Sequence, residues 1–405
     1  MNTHNKFILT GLAGFAMAGA AYSQTVVNIT GATAFRAAAN TSIIALLGGA
    51  GTTEYAFDTT TGATAGASNR AIYRGTVAGI TGTVIVRASW SGSTAGIAAV
   101  AAGTNVQTFK TTTTMTTAGN GFAAAQSDFE TVAPAAFAFS DVAQSASTTL
   151  SPTLIGSTVG VVPFQFVANQ SAHAHAGMTN MTDQIMNAIY STSEVPLSFF
   201  TGVETDTKRV LACGRNNGSG SRATVLGETQ YGFFRAVQQF QNNQTTQHNG
   251  PGQIARVDYV GNNGNSSNSF LANLMKGLSD AVDLFSPADD PNNPYETDVS
   301  CLLVTYLTQS DALLATADPD GAGPQLGGKA LSYNGVFYSE DKVKNGAYTL
   351  WGYQWFYQAP SITAAETTFR NVFVGVIPAN LGTAAIPETE MNITRSGGDG
   401  GPILP

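Results

Sequence analysis

Charge is scarce in this sequence. Asp, Glu, Lys and Arg make up 11% of 405 residues, and the 18 Lys and Arg are outnumbered by 26 Asp and Glu. Nucleic-acid binding rewards basic stripes, so that class of partner is excluded. Histidine occurs four times and cysteine twice. The pair in Ser171-Ala-His-Ala-His-Ala-Gly177 has no third ligand nearby and reads as solvated loop histidines, not a metal site. Cys213 and Cys301 allow one disulfide or two buried thiols, and the sequence alone does not separate these. The motifs G-x-S-x-G and G-x-x-x-x-G-K-[ST] are missing; Gly328-Lys329 is followed by Ala330. The acids of residues 286–298 lack EF-hand spacing and read as a solvated loop. No nucleophile–base pair stands out, so neither a catalytic step nor a cofactor is expected.

The N-terminus carries Lys6, the apolar run from Phe7 to Ala21, and small residues through Ser23. A positive start, a short apolar core and a small-residue cut predict a secretory signal over residues 1–23. The run is too short to span a bilayer, so no stable membrane insertion is expected once it is cleaved. The exported remainder is about 380 residues long, a length that fits two domains. Its composition, 43% hydrophobic with Gly, Ala, Thr, Asn and Ser in the connections, predicts an ordered β-rich or α/β protein.

Strands are predicted at 25–30, 83–89, 135–141, 160–168, 208–212, 254–260, 300–307 and 346–357. Helices are expected after Phe35, up to Ala102, over 182–190 and over 270–285. Residues 103–121, with seven consecutive residues of Thr or Met, read as an exposed excursion, and 396–402, Ser-Gly-Gly-Asp-Gly-Gly-Pro, as a flexible tail. Three of the strands run into Gly/Ser/Thr turns, at Gly31-Ala-Thr-Ala-Phe35, Ser91-Gly-Ser-Thr-Ala-Gly96 and Gly214-Arg-Asn-Asn-Gly-Ser-Gly-Ser221. A fourth ends in the lone acid Asp141. Loops at the carboxyl ends of strands are where open α/β sheets bind ligands.

The third turn is the richest. Leu226, Phe233, Val237 and Phe240 recur at helical spacing after it, which predicts a helix from about Ser221. Backbone amides at a helix start carry partial positive charge, Gly218 and Gly220 admit close approach, Ser219 and Ser221 add hydroxyls, and Arg215 adds a two-pronged cation. This is the chemistry of an anion cradle.

Several short motifs together resemble the phosphate-binding, type II periplasmic substrate-binding proteins of bacterial phosphate transporters. The arginine motif R-x-D-G-S-G-T corresponds to Arg215-Asn-Asn-Gly-Ser-Gly-Ser221. The first loop corresponds to Gly31-Ala-Thr-Ala-Phe35, the second to Gly92-Ser-Thr-Ala-Gly96, the acid loop to Phe139-Ser-Asp141, and the G-V-V strand to Gly160-Val-Val162. The resemblance implies a two-lobed α/β fold, each lobe a mixed sheet flanked by helices, with two interlobe crossings. It implies lobe one at residues 24–163 and 308–405 and lobe two at 164–307. Inorganic phosphate would be held by Thr33, the Ala34 amide, Ser93, Asp141, Arg215, Ser219, the Gly220 amide and Ser221. The implied partner is an ABC transporter permease, and the implied location is the periplasm or cell surface. Asn217 stands where the pattern has an acid, so that position offers Arg215 no carboxylate. Ser221 replaces Thr, and residues 103–121 and 261–297 read as insertions. The rival expectation is an envelope or adhesion protein that keeps this fold without transport.

Overall fold

Strand β1 (Gln24–Gly31) is buried along most of its length, as its Val-Val-Asn-Ile core predicts. In this computed structural model, which describes residues 24–243, 255–277, 281–283, 299–317 and 327–405, β1 lies at the centre of a sheet. It pairs in parallel with β2 (Thr83–Ser89) on one side and with β3 (Phe137–Ser140) on the other. Parallel strands need both faces covered. In β3 the alternation of side chains divides the two jobs. Phe137 and Phe139 face the helix Ala364–Val376, with ring centroids 5.8 Å from Phe369 and 6.1 Å from Phe373 respectively. Ala138 packs instead with Ile97 and Val100 of helix α2 (Ser93–Ala102). Each fully buried Phe contributes about 1.5–3 kcal/mol. Helix α1 (Arg36–Leu46) follows β1 directly.

The longest strand, β4 (Ile155–Ala168), joins two halves of the sheet. Its first part pairs antiparallel with β7 (Trp351–Gln358), up to Trp351 opposite Pro163. Its last part pairs antiparallel with β6 (Val299–Thr308), from Thr308 opposite Phe164 to Val304 opposite Ala168. Strand β5 (Arg209–Ala212) lies parallel to β6, and the strands Gln239–Asn242, Arg256–Gly261 and Ala281–Asp283 extend that side. The chain returns along β4: Lys329 pairs with Ala168, the Leu331 amide donates to the Phe166 carbonyl, and the Phe164 amide donates to the Leu350 carbonyl. The α/β expectation is met, with a large mixed sheet flanked by helices.

Local expectations fare unevenly. Helix α3 (Gly220–Glu228) starts where expected but ends before Phe233, and Phe240 lies in the strand Gln239–Asn242. The Phe233 ring packs on Gly227, so the helical spacing of these aromatics is coincidental. The helix expected over 270–285 is α4 (Asn268–Met275); it stops at Lys276, just before Gly277, and Ala281–Asp283 is a strand. The excursion 103–121 is partly core, with Phe109 and Met115 buried. His173 and His175 sit on the short helix Ala172–Gly177, where His175 Nε2 lies 3.1 Å from the Gly327 carbonyl.

One further expectation is corrected, and the alternative left open at the cysteines is decided. The C-terminal segment is clasped, not flexible: Asp399 is buried and its carboxylate accepts from the Ala143 amide at 2.6 Å. No disulfide joins Cys213 and Cys301. Val210 pairs with Leu302 and Ala212 with Val304, which sets the cysteines four residues apart along neighbouring strands. That is about 13 Å at 3.3 Å per residue, well beyond disulfide reach. Both are buried in the same apolar cluster. The signal at 1–23 and the insertion beyond residue 283, with the acidic loop 286–298, lie outside the described residues.

Candidate functional site

Four loops that leave strands at their carboxyl ends meet at one place. Thr33 follows β1, Ser93 opens α2 after β2, Asp141 follows β3, and the loop from β5 to α3 carries Arg215 to Ser221. Ser93, Asp141, Arg215, Ser219 and Ser221 are all at most 2% exposed. A Cβ on Gly220 would lie 2.2 Å from Ser93 Oγ, so the missing side chain is what lets α3 abut the Ser93 and Asp141 loops.

Hydrogen bonds tie most of these residues together. Arg215 Nη2 donates to Thr33 Oγ1 at 3.2 Å and to the Ser266 carbonyl at 3.0 Å. Its Nε donates to the Asn265 carbonyl at 3.0 Å and its Nη1 to Asn268 Oδ1 at 2.6 Å. Asn268 Nδ2 donates to Ser221 Oγ at 3.2 Å, and Ser221 Oγ donates to Asp141 Oδ2 at 3.4 Å. The Asp141 amide donates to Ser93 Oγ at 3.2 Å. The path Thr33–Arg215–Asn268–Ser221–Asp141–Ser93 therefore contains five of the eight residues expected from sequence. Ser219 stands beside it as the N-cap of α3, accepting from the Arg222 amide at 3.3 Å. Ala34 is the neighbour of Thr33, and Gly220 begins α3, whose first-turn amides have no acceptor within the helix.

The direction of these bonds decides what the site can hold. The hydroxyl oxygens of Thr33, Ser93 and Ser219 each accept from the protein, from Arg215, the Asp141 amide and the Arg222 amide. Each hydroxyl thus keeps its proton to give away. Against them stands one acceptor, Asp141 Oδ1, buried and without a hydrogen-bond partner. A cavity of about 400 Å³ lies alongside, lined by Thr94, Asn217, Ser219, Arg222 and Phe234 among others.

Burial dominates the electrostatics. It pushes the Asp141 carboxyl up to about 6, although Arg215, Ser93 and Ser221 pull it back. It lowers the Arg215 guanidinium to about 10, still charged at neutral pH. Two charged residues were not anticipated. Arg36 Nη1 donates to Asn69 Oδ1 at 2.8 Å and its Nη2 to Ser269 Oγ at 3.4 Å. Asp311, in the first turn of α5 (Gln309–Thr316), accepts from Thr308 Oγ1 at 2.7 Å through Oδ2. Asn265, Ser266 and Asn268 were also missed as partners of Arg215, because their Asn/Ser-rich stretch reads as part of an insertion. The Ser267 N-cap ahead of α4 was the available signal.

No protein-family model matches the chain, and none of the curated proteins does. Among solved structures, an ABC-type phosphate transport receptor from Vibrio cholerae is 13% identical, with 89% of this chain and 99% of that chain covered and a TM-score of 0.43. A protein from Clostridium perfringens described as a phosphate ABC transporter substrate-binding protein, with phosphate bound, is 12% identical, with 90% and 99% covered and a TM-score of 0.43. A high affinity periplasmic phosphate-binding protein bound with phosphate (PfluDING) is 14% identical, with 90% of each chain covered and a TM-score of 0.38. Among the described residues, no helix is long and apolar enough to cross a membrane.

Proposed function

We propose that this chain is an exported solute-binding protein that encloses inorganic phosphate between two lobes, 24–163 with 308–405 and 164–307, for an ABC-type uptake system. The observation that carries the reading is Asp141 Oδ1, a lone buried acceptor among hydroxyls set to donate. Phosphate near neutral pH has both kinds of oxygen. Its bare oxygens take hydrogen bonds from Thr33, Ser93 and Ser219, from Arg215, and from the amides of Ala34 and Gly220, while Ser221 holds the other Asp141 oxygen. Its one O–H needs an acceptor, and the Asp141 carboxylate can only accept. Sulfate has no proton to offer, so its oxygen would face the carboxylate unpaired, which is discrimination by repulsion. The helix starts of α2 and α3 add favourable dipoles for the anion.

The test is calorimetric titration of the mature protein, first freed of bound anion by unfolding and refolding, with phosphate and with sulfate at pH 8. Phosphate should bind and sulfate should bind much more weakly. Equal affinity for the two anions contradicts the role given to Asp141. Binding of neither favours an envelope protein that keeps the architecture without transport.

A further inference from the structure

The last hairpin of the chain holds two parts of the candidate site at once. Its strands Thr394–Arg395 and Ile403–Leu404 pair antiparallel, and the turn between them carries Asp399 and Gly400 side by side. Asp399 Oδ2 accepts from the Ala143 amide at 2.6 Å, two residues beyond Asp141. The Gly400 amide donates to Glu228 Oε1 at 2.8 Å, and the Gly400 carbonyl accepts from Gln230 Nε2 at 3.3 Å. Glu228 ends α3, whose first turn carries Gly220 and Ser221. Because α3 is a single helix of 9 residues, a grip on its end restrains its start.

The hairpin is well seated. Arg395 Nη2 donates to the Thr349 carbonyl at 2.9 Å, its Nη1 to the Gly401 carbonyl at 2.7 Å, and its amide to the Tyr353 hydroxyl at 3.2 Å. Asp399 and Glu228 are both buried, and hydrogen bonds to charged groups are the strong ones. At Gly400 the fit is close: a Cβ there would lie 2.7 Å from the Gly227 carbonyl oxygen. Ser221 and Thr224 also join α3 to Asp141, at 3.4 Å to Oδ2 and 3.1 Å to the carbonyl, but these bonds lie at the site itself. The hairpin adds a tie at the far end of the helix.

We propose that Asp399 and Gly400 form a strap that holds α3 against the Asp141 loop and slows opening of the anion site. In the lobe division proposed above, Asp399, Gly400 and Ala143 belong to one lobe and Glu228 to the other. As a statement about phosphate release this rests on the binding role proposed above; as a statement about the spacing of α3 from the Asp141 loop it does not.

The experiment reads both, on the mature chain. Spin labels on Thr148→Cys and Phe234→Cys, two positions lining the cavity beside the site, report the spacing in anion-free protein by electron paramagnetic resonance. Release is followed by diluting protein loaded with labelled phosphate into excess unlabelled phosphate. Asp399→Ala should lengthen and broaden the distances and speed release about tenfold, since affinity changes of this kind fall mostly on dissociation. Gly400→Ala pushes the strap off Gly227 and should move both readouts the same way; it serves if Asp399→Ala does not fold. Asp399→Asn keeps an acceptor for the Ala143 amide and should restore both readouts most of the way. The two alanine changes cut one strap in series, so the double variant should be within about twofold of the faster single one. Unchanged distances in either alanine variant, or effects that multiply in the double one, overturn the proposal. If wild type binds no phosphate, the distances alone decide the strap, and the binding role fails separately.

Discussion

Gly92 and Gly218 meet backbone to backbone: a Cβ on Gly92 would lie 2.5 Å from the Gly218 carbonyl oxygen. Gly92 also holds a φ of +102°, a conformation that side chains disfavour. The neighbouring Thr94 Oγ1 donates to the Asn217 carbonyl at 3.3 Å, so the loops before α2 and α3 touch directly. Gly92→Ala should keep these loops apart. Backbone strain of about 1–3 kcal/mol predicts phosphate weakened roughly 5- to 150-fold. Small-angle scattering should show the radius of gyration of wild type falling on phosphate addition, and that of the variant falling less. Equal compaction in both would separate this contact from closure.

The C-terminal clasp predicts a pH-dependent stability defect. Arg395 Nη1 lies 2.8 Å from Glu228 Oε2, both side chains buried, and the guanidinium stacks 4.3 Å above the Trp351 ring. Burial pushes Glu228 up to about 8, while Arg395 and the Gly400 amide hold it down. Arg395→Met leaves that acid alone. The loss should reach about 3–5 kcal/mol at pH 9, where Glu228 must ionise, and be smaller at pH 6, where it keeps its proton. Urea unfolding at the two pH values checks this; adding Glu228→Gln should recover most of the loss.

Wild type should itself be more stable in mild acid than in base. Burial raises Asp141 to about 6, Asp399 to about 6 and Glu228 to about 8. The folded chain therefore holds protons that the unfolded chain, with carboxyls near 4, has already released. Their contribution is complete below about pH 4 and is lost as pH rises through about 6 for the aspartates and about 8 for Glu228. The urea midpoint should be higher at pH 5 than at pH 8.5, and Asp399→Asn should flatten the difference. A midpoint that climbs with pH contradicts these assignments.

The cysteines give a simple check on strand register. Chain made in an oxidising compartment and unfolded without reductant should take up two alkyl groups, at Cys213 and Cys301. Intact mass decides it, and a species that reacts only after reduction would contradict the β5–β6 pairing.

Periodicity made the buried elements legible. The apolar runs of β1 to β4 and the Gly/Ser/Thr turns after β1, β2 and β5 are local signals, and the turns led to residues of the candidate site. Thr33, Ser93, Asp141, Arg215 and Ser221 lie together as the sequence suggested, because a loop leaving a strand has little freedom in where it goes. What failed was context. Phe233 and Phe240 sit at helical spacing without sharing a helix, since α3 ends at Glu228 and the chain then enters a strand. Arg36, Asn268 and Asp311 come from three separate helix starts, and no spacing in the sequence links them. The final glycines looked unrestrained, yet Arg395, Asp399 and Gly400 are held by Glu228 and Ala143, far away in sequence.

The central claim is that Asp141 and Arg215 face one phosphate, and a matched titration tests it most directly. Wild type, Arg215→Ala, Asp141→Asn and Asp128→Asn, the last in a short turn away from the site, are titrated by calorimetry with phosphate and with sulfate. Loss of a charged partner should cost Arg215→Ala about 2–5 kcal/mol, some 30-fold to several-thousand-fold. Asp141→Asn should lose phosphate affinity while gaining sulfate relative to phosphate, and Asp128→Asn should do neither. Phosphate binding that survives Arg215→Ala undiminished, or a wild type that binds no phosphate at millimolar concentration, would contradict the claim.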